Sequence, residues 1–383
     1  MTQSVSSNSI TSLVSSKLTG ALPAINGAAL TGVSAGVFTS TSSPTVTTNS
    51  TLGFIWANSV TGELFNCTDA TTNANVWKNV GAGITHVHSY RFQGEVAGFS
   101  YAGWGGQTGT YNAVINKYSF ISDDNATDHG NVSHARYQCA GNASATHGYS
   151  SGGYGPGSTL TNANIIDKFA FANNVTGTDV GNLTVGRRQP CGQSSSTHGY
   201  TSGGTNPPPS NVIDKYAYAS NGNATDVGNL IASRSDGGGA SSTTHGYTAG
   251  GQQDPPRHDT IDKFSFASNN NATDVGNLSG TVSNTMCASS TTHGYTMAGY
   301  NTALLTRIDK WSFASNGNAT NIGDVASASA GGSTASSLTH GYLAGGPSHV
   351  TIIQRTSFSS DGDAVYTLQN LTSYQQAPAG CQQ

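Results

Sequence analysis

The sequence predicts an all-β protein assembled from one recurring four-stranded unit, and three observations predict it. First, a block reading His-Gly-Tyr-Thr-Ala-Gly-Gly at 245–251 is followed by Ile-Asp-Lys-Phe-Ser-Phe at 261–266 and by Asn-Ala-Thr-Asp-Val-Gly-Asn-Leu at 271–278, and these blocks return along most of the chain. The Ile positions 115, 166, 213, 261, 308 and 353 are 51, 47, 48, 47 and 45 residues apart, a period that marks a repeat architecture. Second, Val, Ile, Tyr and Phe alternate with polar residues at strand period, with no helical periodicity. Third, the chain has 49 glycines, too many for helices.

Within one unit the elements follow in order. Residues 239–244 (Gly-Ala-Ser-Ser-Thr-Thr) form a first strand, small and polar. A tight His-Gly turn leads to a second strand at 247–250. The third, 260–266, is β-branched and aromatic. Asn and Gly at 269–271 turn the chain into a fourth strand at 273–278. Four strands at this period is the arithmetic of a β-propeller blade. A lone blade cannot cover both faces of its sheet; radial stacking does so and leaves only short edges. In the third strand Asp262, Phe264 and Phe266 point one way while Ile261, Lys263 and Ser265 point the other. Both faces thus carry an apolar group, as a strand between neighbouring blades requires.

The order small strand, aromatic-Gly-Gly strand, variable loop, Ile/Val-rich strand resembles the kelch repeat over roughly residues 85–383. Arg136, Arg187 and Arg234 stand just before the first strand, where kelch units often carry Arg. The Trp usual late in kelch units is missing from most copies, so the resemblance is to a kelch-like propeller.

Three regions follow in chain order. Residues 1–50 are rich in Ser, Thr, Ala and Gly, with a single charge at Lys17, yet carry Leu13, Val14, Leu18, Leu22, Ile25, Leu30 and Val33. This reads as an extended arm that orders against a partner. The run Lys-Leu-Thr-Gly-Ala-Leu-Pro-Ala-Ile-Asn-Gly at 17–27, with Leu30-Thr31-Gly32, looks like a segment found near the start of tail-fibre-type proteins of marine tailed bacteriophages. Residues 51–84 form a β-hairpin module, with a turn at Val60-Thr61-Gly62 and a further strand at 73–80. This module is similar to one common in the same phage structural proteins, where it precedes Ile-Asp-Lys-Phe repeats. Residues 85–383 are the propeller. First-strand candidates precede each of six copies, the earliest around 92–97, and a seventh lies at 377–383. This count favours seven blades, the chain end completing a sheet begun by residues 51–81. Six blades plus a separate N-terminal β-module are the alternative.

The repeated polar residues read as structural. His147, His198, His245, His293 and His340 come once per unit, whereas active sites break symmetry; each imidazole is expected to bond a backbone group or a repeated Asp. Asp167, Asp214, Asp262 and Asp309 are expected to be buried against the adjacent Lys or a backbone N–H. The Asn-Ala-Thr triplets at 125, 223, 271 and 318 match a glycosylation sequon and read more simply as turns whose Asn adopts the left-handed region. Cys139, Cys191 and Cys287 precede the His-Gly-Tyr blocks by 8, 7 and 6 residues and read as small, buried thiols of the first strand; the five cysteines, Cys67 and Cys381 included, read as reduced rather than as metal ligands.

Binding residues are expected where the repeats disagree. The loops between second and third strands vary, and with the connections between blades they emerge on one face. Tyr154, Arg187, Arg188, Arg234, Asp254, Arg257, His258, Tyr300 and Arg307 are the candidate ligand-binding residues there, suited to a glycan or a surface protein. Ordinary solvent-exposed loops are the alternative.

Charged residues make up 9% and the net charge is −4, no footprint for nucleic acid. There is no long apolar run for a membrane span and no evident secretory leader. No catalytic residue, cofactor or metal is expected. What the resemblance implies is a virion structural protein, made in the host cytoplasm: an appendage, tail fibre or surface decoration. Residues 1–50 would attach it to other virion proteins, and the propeller would bind a host-surface glycan or protein, or another virion protein. The alternatives are a propeller enzyme acting on polysaccharide, for which Asp254 lacks an evident acidic partner, and an intracellular kelch-type scaffold.

Overall fold

The computed structural model describes residues 37–80, 86–87, 91–105, 109–157, 160–253, 256–347 and 350–383. Every regular element among them is a β-strand. The chain divides into two compact units, 1–89 and 90–383.

The first unit holds one five-stranded sheet in chain order, with strands Phe38–Ser40, Ile55–Asn58, Leu64–Asp69, Val76–Asn79 and His86–Val87. The expected hairpin is present: Ile55–Asn58 and Leu64–Asp69 run antiparallel, and Gly62 N–H donates to Asn58 C=O in the turn. Phe65, Cys67 and Trp77 are buried at its centre, with Phe54 and Trp56 packed against them. The boundary expected at residue 50 falls inside this sheet. Phe38–Ser40 adds a parallel strand to Ile55–Asn58, and Asn75 N–H donates to Val46 C=O. Of the expected arm at 1–50, residues 1–36 lie outside the described residues.

The second unit contains six four-stranded sheets. The blade at 238–277 shows the plan: Gly238–Ser241 innermost, then His245–Ala249, Thr260–Ser265 and Thr273–Asn277 outermost, each antiparallel to the next. Innermost strands Ala140–Ala143, Cys191–Ser194, Gly238–Ser241, Met286–Ser289, Ser333–Ser336 and Ala379–Gln382 each lie against the next, and the last lies against the first. The ring is a propeller. Among the described residues seven sheets are present, and six of them are its blades.

The chain end was expected to complete a sheet begun by residues 51–81; it pairs elsewhere. Ala379–Gln382 runs antiparallel to Ala97–Tyr101 and becomes the innermost strand of the blade formed by Ala97–Tyr101, Val114–Ser119 and Thr127–Asn131. Residues 92–97 are therefore not an innermost strand. The N–H groups of Glu95, Val96 and Ala97 instead converge on the carbonyl of Gln383, and Gly94 donates to Ser336 C=O.

Four contacts between blades explain the repeating residues. Near the axis, N–H of Ala143 donates to Ser194 Oγ, N–H of Ser194 to Ser241 Oγ, then Ser241 to Ser289, Ser289 to Ser336 and Ser336 to Gln382 Oε1. Short hydroxyls end the innermost strands because each satisfies a buried N–H one blade back. The second strand's aromatic residue stacks on an aromatic of the next blade: Tyr149 on Tyr218, Tyr200 on Phe266, Tyr247 on Phe313, Tyr295 on Phe358, Tyr342 on Phe120 and Phe99 on Phe171, with centroids 4.7–4.8 Å apart. The Gly before that Tyr lies under a third-strand ring. A Cβ on Gly246 would stand 2.3 Å from Phe264, and one on Gly148 would stand 2.2 Å from Phe169.

At the periphery Asn223, Asn271 and Asn318 accept from the N–H groups of Asn182, Asn229 and Asn277 on the preceding blade, and Asn125 accepts from Asn370. These Asn residues are not left-handed. They join neighbouring outermost strands, which corrects the turn reading.

The fourth contact is a buried polar centre in each third strand. One oxygen of Asp167, Asp214, Asp262 and Asp309 accepts the N–H of Ser133, Thr184, Ile231 and Ser279, the residues where the chain leaves the preceding blade. Gln354 and Asn116 hold the same place and accept from Ser327 and Thr372. Where this residue is charged, a cation meets it: Arg136–Asp167 at 2.7 Å, Arg187–Asp214 at 2.9 Å, Arg234–Asp262 at 2.7 Å and Arg307–Asp309 at 3.0 Å. Where it is neutral, Ala330 and Gln375 replace the arginine three residues after that N–H donor. Of the two expected partners the backbone N–H is present, while the place expected for the adjacent Lys is taken by Arg. Burial pushes the Asp262 carboxyl above its ordinary value, against the pull of Arg234.

The five repeated imidazoles, unlike His129, are bonded to neither the repeated Asp nor a backbone group among the described residues. Nδ1 of His147, His198, His245, His293 and His340 lies 2.8 Å from the hydroxyl of the Thr just before it. Burial first, and the facing Lys or Arg second, lower each imidazole's pKa, so the rings are neutral at pH 7.

Charge balance in the third strand is testable on the Arg187–Asp214 pair. Arg187→Gln alone leaves a buried carboxylate uncompensated and costs about 3–5 kcal/mol. Adding Asp214→Asn copies the neutral residues Gln375 and Asn116 and restores most of that loss. Urea unfolding of the two single variants and the double variant measures it; additive losses would contradict the coupling.

Candidate functional site

The loops between second and third strands and the connections between blades lie on one face, as expected, and they are zipped together. Single β-bridges join Trp104 to Gln376, Tyr137 to Tyr154, Arg188 to Thr205, Ser235 to Gln252 and Ser283 to Tyr300, one in each of five blades. The backbone thus repeats around the face while the side chains it presents do not.

One sector is aromatic. Trp104 sits edge-on to Tyr111 at 5.0 Å and 5.7 Å from Tyr137. Tyr111 lies 5.9 Å from Tyr137 and 6.2 Å from Tyr154, and Tyr137 is edge-on to Tyr154 at 5.7 Å. The Arg188 guanidinium lies over the Tyr154 ring at 5.2 Å. All five side chains are half-buried. Arg188 Nε is buried with no hydrogen-bond partner, and among the described residues no carboxylate lies within ion-pair distance of its guanidinium. Burial raises the Tyr111 and Tyr137 phenols above their usual value.

A second, smaller pair stands further round. The Arg257 guanidinium lies over Tyr300 at 5.1 Å, and its Nε donates to Ser283 Oγ. His258 is half-buried beside it, its pKa lowered by burial and then by Arg234.

The candidate residues therefore separate. Tyr154 and Arg188 come together, as do Arg257 and Tyr300. Arg187 and Arg234 are corrected: both are fully buried, bound to Asp214 and Asp262, and unavailable to a ligand. Arg307 is committed to Asp309 and to the carbonyl of Gly280. Asp254 lies outside the described residues. Trp104, Tyr111 and Tyr137 were not among the candidates. The signal for them was in the sequence, because Trp104 and Tyr111 occupy the variable loop of the most degenerate copy, and Tyr137 directly follows a repeated Arg.

Around the axis on this face Gln138, Gln189, Asp236, Asn284 and Ala377 adopt positive φ of 49–61°, with Gly331 at 59°. Their backbones form a belt: Gln138 N–H donates to Ala377 C=O, Gln189 to Gln138, Asp236 to Gln189, Gly331 to Asn284 and Ala377 to Gly331. Asp236 is 6% exposed and accepts from Ser235 Oγ and Gln252 Nε2. Burial pushes its carboxyl up to about 6. Within the belt the innermost strands line a cavity of about 100 Å³ that Cys139, Cys191 and Cys287 border. All five cysteines are free and buried, and burial pushes the Cys191 thiol up to about 12, so these are protonated, unreactive groups. No cluster of metal-binding side chains occurs among the described residues.

Neither the models of known protein families nor the curated proteins include a match to this chain.

The buried carboxyl at the belt has a measurable signature. Asp236 binds its proton more tightly folded than unfolded, so its contribution to stability is complete below about pH 4 and is lost as pH rises through about 6. The melting temperature of Asp236→Asn, relative to the parent, is expected to climb between pH 4 and 6 and then level off. A difference independent of pH would contradict this environment.

Proposed function

We propose that this chain is a virion structural protein, an appendage, tail fibre or surface decoration, that presents a β-propeller for binding rather than catalysis. The observation that carries the binding assignment is the contrast on the loop face: bridges and belt repeat from blade to blade, while among the described residues one sector gathers Trp104, Tyr111, Tyr137, Tyr154 and Arg188. A rigid scaffold with a unique cluster of aromatic and cationic side chains is the usual build of a recognition surface. The ligand class is a host-surface glycan or protein, or another protein of the particle. The virion assignment rests on the N-terminal likeness to tail-fibre-type proteins, carried by residues 17–32 and by the module that precedes the propeller. In this reading residues 1–50 attach the protein to other virion proteins. Among the described residues no helix is long and apolar enough to cross a membrane.

Mass spectrometry of purified particles from the source that encodes the chain tests this directly. The chain is expected in the particle at a stoichiometry set by symmetry, and cryo-electron microscopy should find a six-fold toroid on its exterior. A chain confined to the infected-cell lysate and absent from particles would overturn the reading.

A further inference from the structure

The aromatic sector carries a more specific assignment, which rests on the binding role proposed above. We infer that Trp104, Tyr111, Tyr137, Tyr154 and Arg188 form a subsite for an anionic sugar, a pyranose carrying a carboxylate. Half-buried indole and phenol rings offer flat apolar faces with polar tips, the complement of a sugar ring with apolar C–H faces and a hydroxyl rim. Four such rings converge here with neighbouring centroids 5.0–6.2 Å apart.

The charge selects among sugars. Arg188 is held over Tyr154, its backbone fixed by the bridge to Thr205, and its buried Nε lacks a partner. The other arginines at this level of the propeller, Arg136, Arg187 and Arg234, are neutralised by buried aspartates. An arginine without an acid partner among the described residues, set at the edge of a cluster of rings, is best completed by a planar anion on its terminal nitrogens, which a carboxylate supplies. Asp236, whose carboxyl feels the Arg188 charge, is already engaged by Ser235 and Gln252. Arg257 over Tyr300 lacks the surrounding rings and already donates its Nε to Ser283, so the chemistry is concentrated in one sector.

Methyl β-glucuronide and methyl β-glucoside differ only in that carboxylate, and ligand-observed NMR titration of the full chain with both tests the assignment. The glucuronide is expected to bind and the glucoside to bind about tenfold or more weakly. Arg188→Gln should abolish the preference, Arg188→Lys should restore part of it, and Trp104→Ala should weaken both ligands. Unchanged melting temperature of Arg188→Gln, whose backbone bridge needs no side chain, separates loss of recognition from loss of fold. Equal binding of the two sugars, a preference that survives Arg188→Gln, or no binding of either would overturn the anionic-sugar subsite. If adsorption of particles to host cells then persists with Arg188→Gln, the binding role stands and only the subsite fails; if particles lack the chain, the role itself fails.

Discussion

No blade of this propeller can exist alone. Each third strand buries a residue on both of its faces, as Ile261 and Asp262 show side by side. A single four-stranded sheet has no means of covering both, so every blade depends on a neighbour in each direction. The dependence has a beginning and an end unless the ring closes, and closure is made by the chain's last strand, Ala379–Gln382, which enters the blade that opens at Ala97. The carbonyl of Gln383, gathering the N–H groups of Glu95, Val96 and Ala97, locks the two ends of the unit together.

The joint between blades has four layers, and each sets a residue type. Serine hydroxyls bridge near the axis, Tyr stacks on Phe or Tyr further out, a buried polar residue anchors the incoming connection, and Asn closes the periphery. The third layer is the most demanding. A buried aspartate that stays ionised is costly without a cation in contact, and the third strands supply one in two ways: Arg from the connection in three blades, Arg307 from the strand itself in a fourth. Removing both charges is the other solution, taken with Asn116 and Gln354. Because these layers absorb the repeated Ser, Tyr, Asp, Arg and Asn residues, what remains unrepeated on the loop face is free to differ. That freedom is what allowed aromatic residues to accumulate in one sector.

Much of this was legible in the sequence, and the misses have physical causes. Period and strand alternation identify four-stranded blades because a strand covered on both sides must carry an apolar residue on each face, as Ile261 and Phe264 do. The small first strand was legible too, and the Ser ladder is its reason. Blade number was harder, because residues 92–97 have the composition of an innermost strand without its partner; only pairing distinguishes them. The roles of Arg187 and Arg234 were hidden because a repeated Arg in a connection is equally compatible with a rim and with a buried pair, and burial is a tertiary property. The peripheral Asn residues misled similarly, since a side-chain acceptor for a neighbouring blade and a left-handed turn favour the same residue. The aromatic sector was half legible: Tyr154 and Arg188 stood out, while Trp104 and Tyr111 lay in a copy so degenerate that its loop did not register as one of the set.

The claim on which all of this rests is that the ring is closed by the chain's own end. Deleting residues 378–383 tests it most directly, with unfolding followed by circular dichroism and by hydrogen exchange at the blades farthest from the seam. If closure holds the blades together, the truncated chain loses its cooperative transition, and protection falls at Tyr247 and Tyr295 as well as at Phe99. If the truncated chain melts cooperatively near the parent temperature, with exchange raised only in the strand at Ala97–Tyr101, the blades do not depend on the ring and the account is wrong.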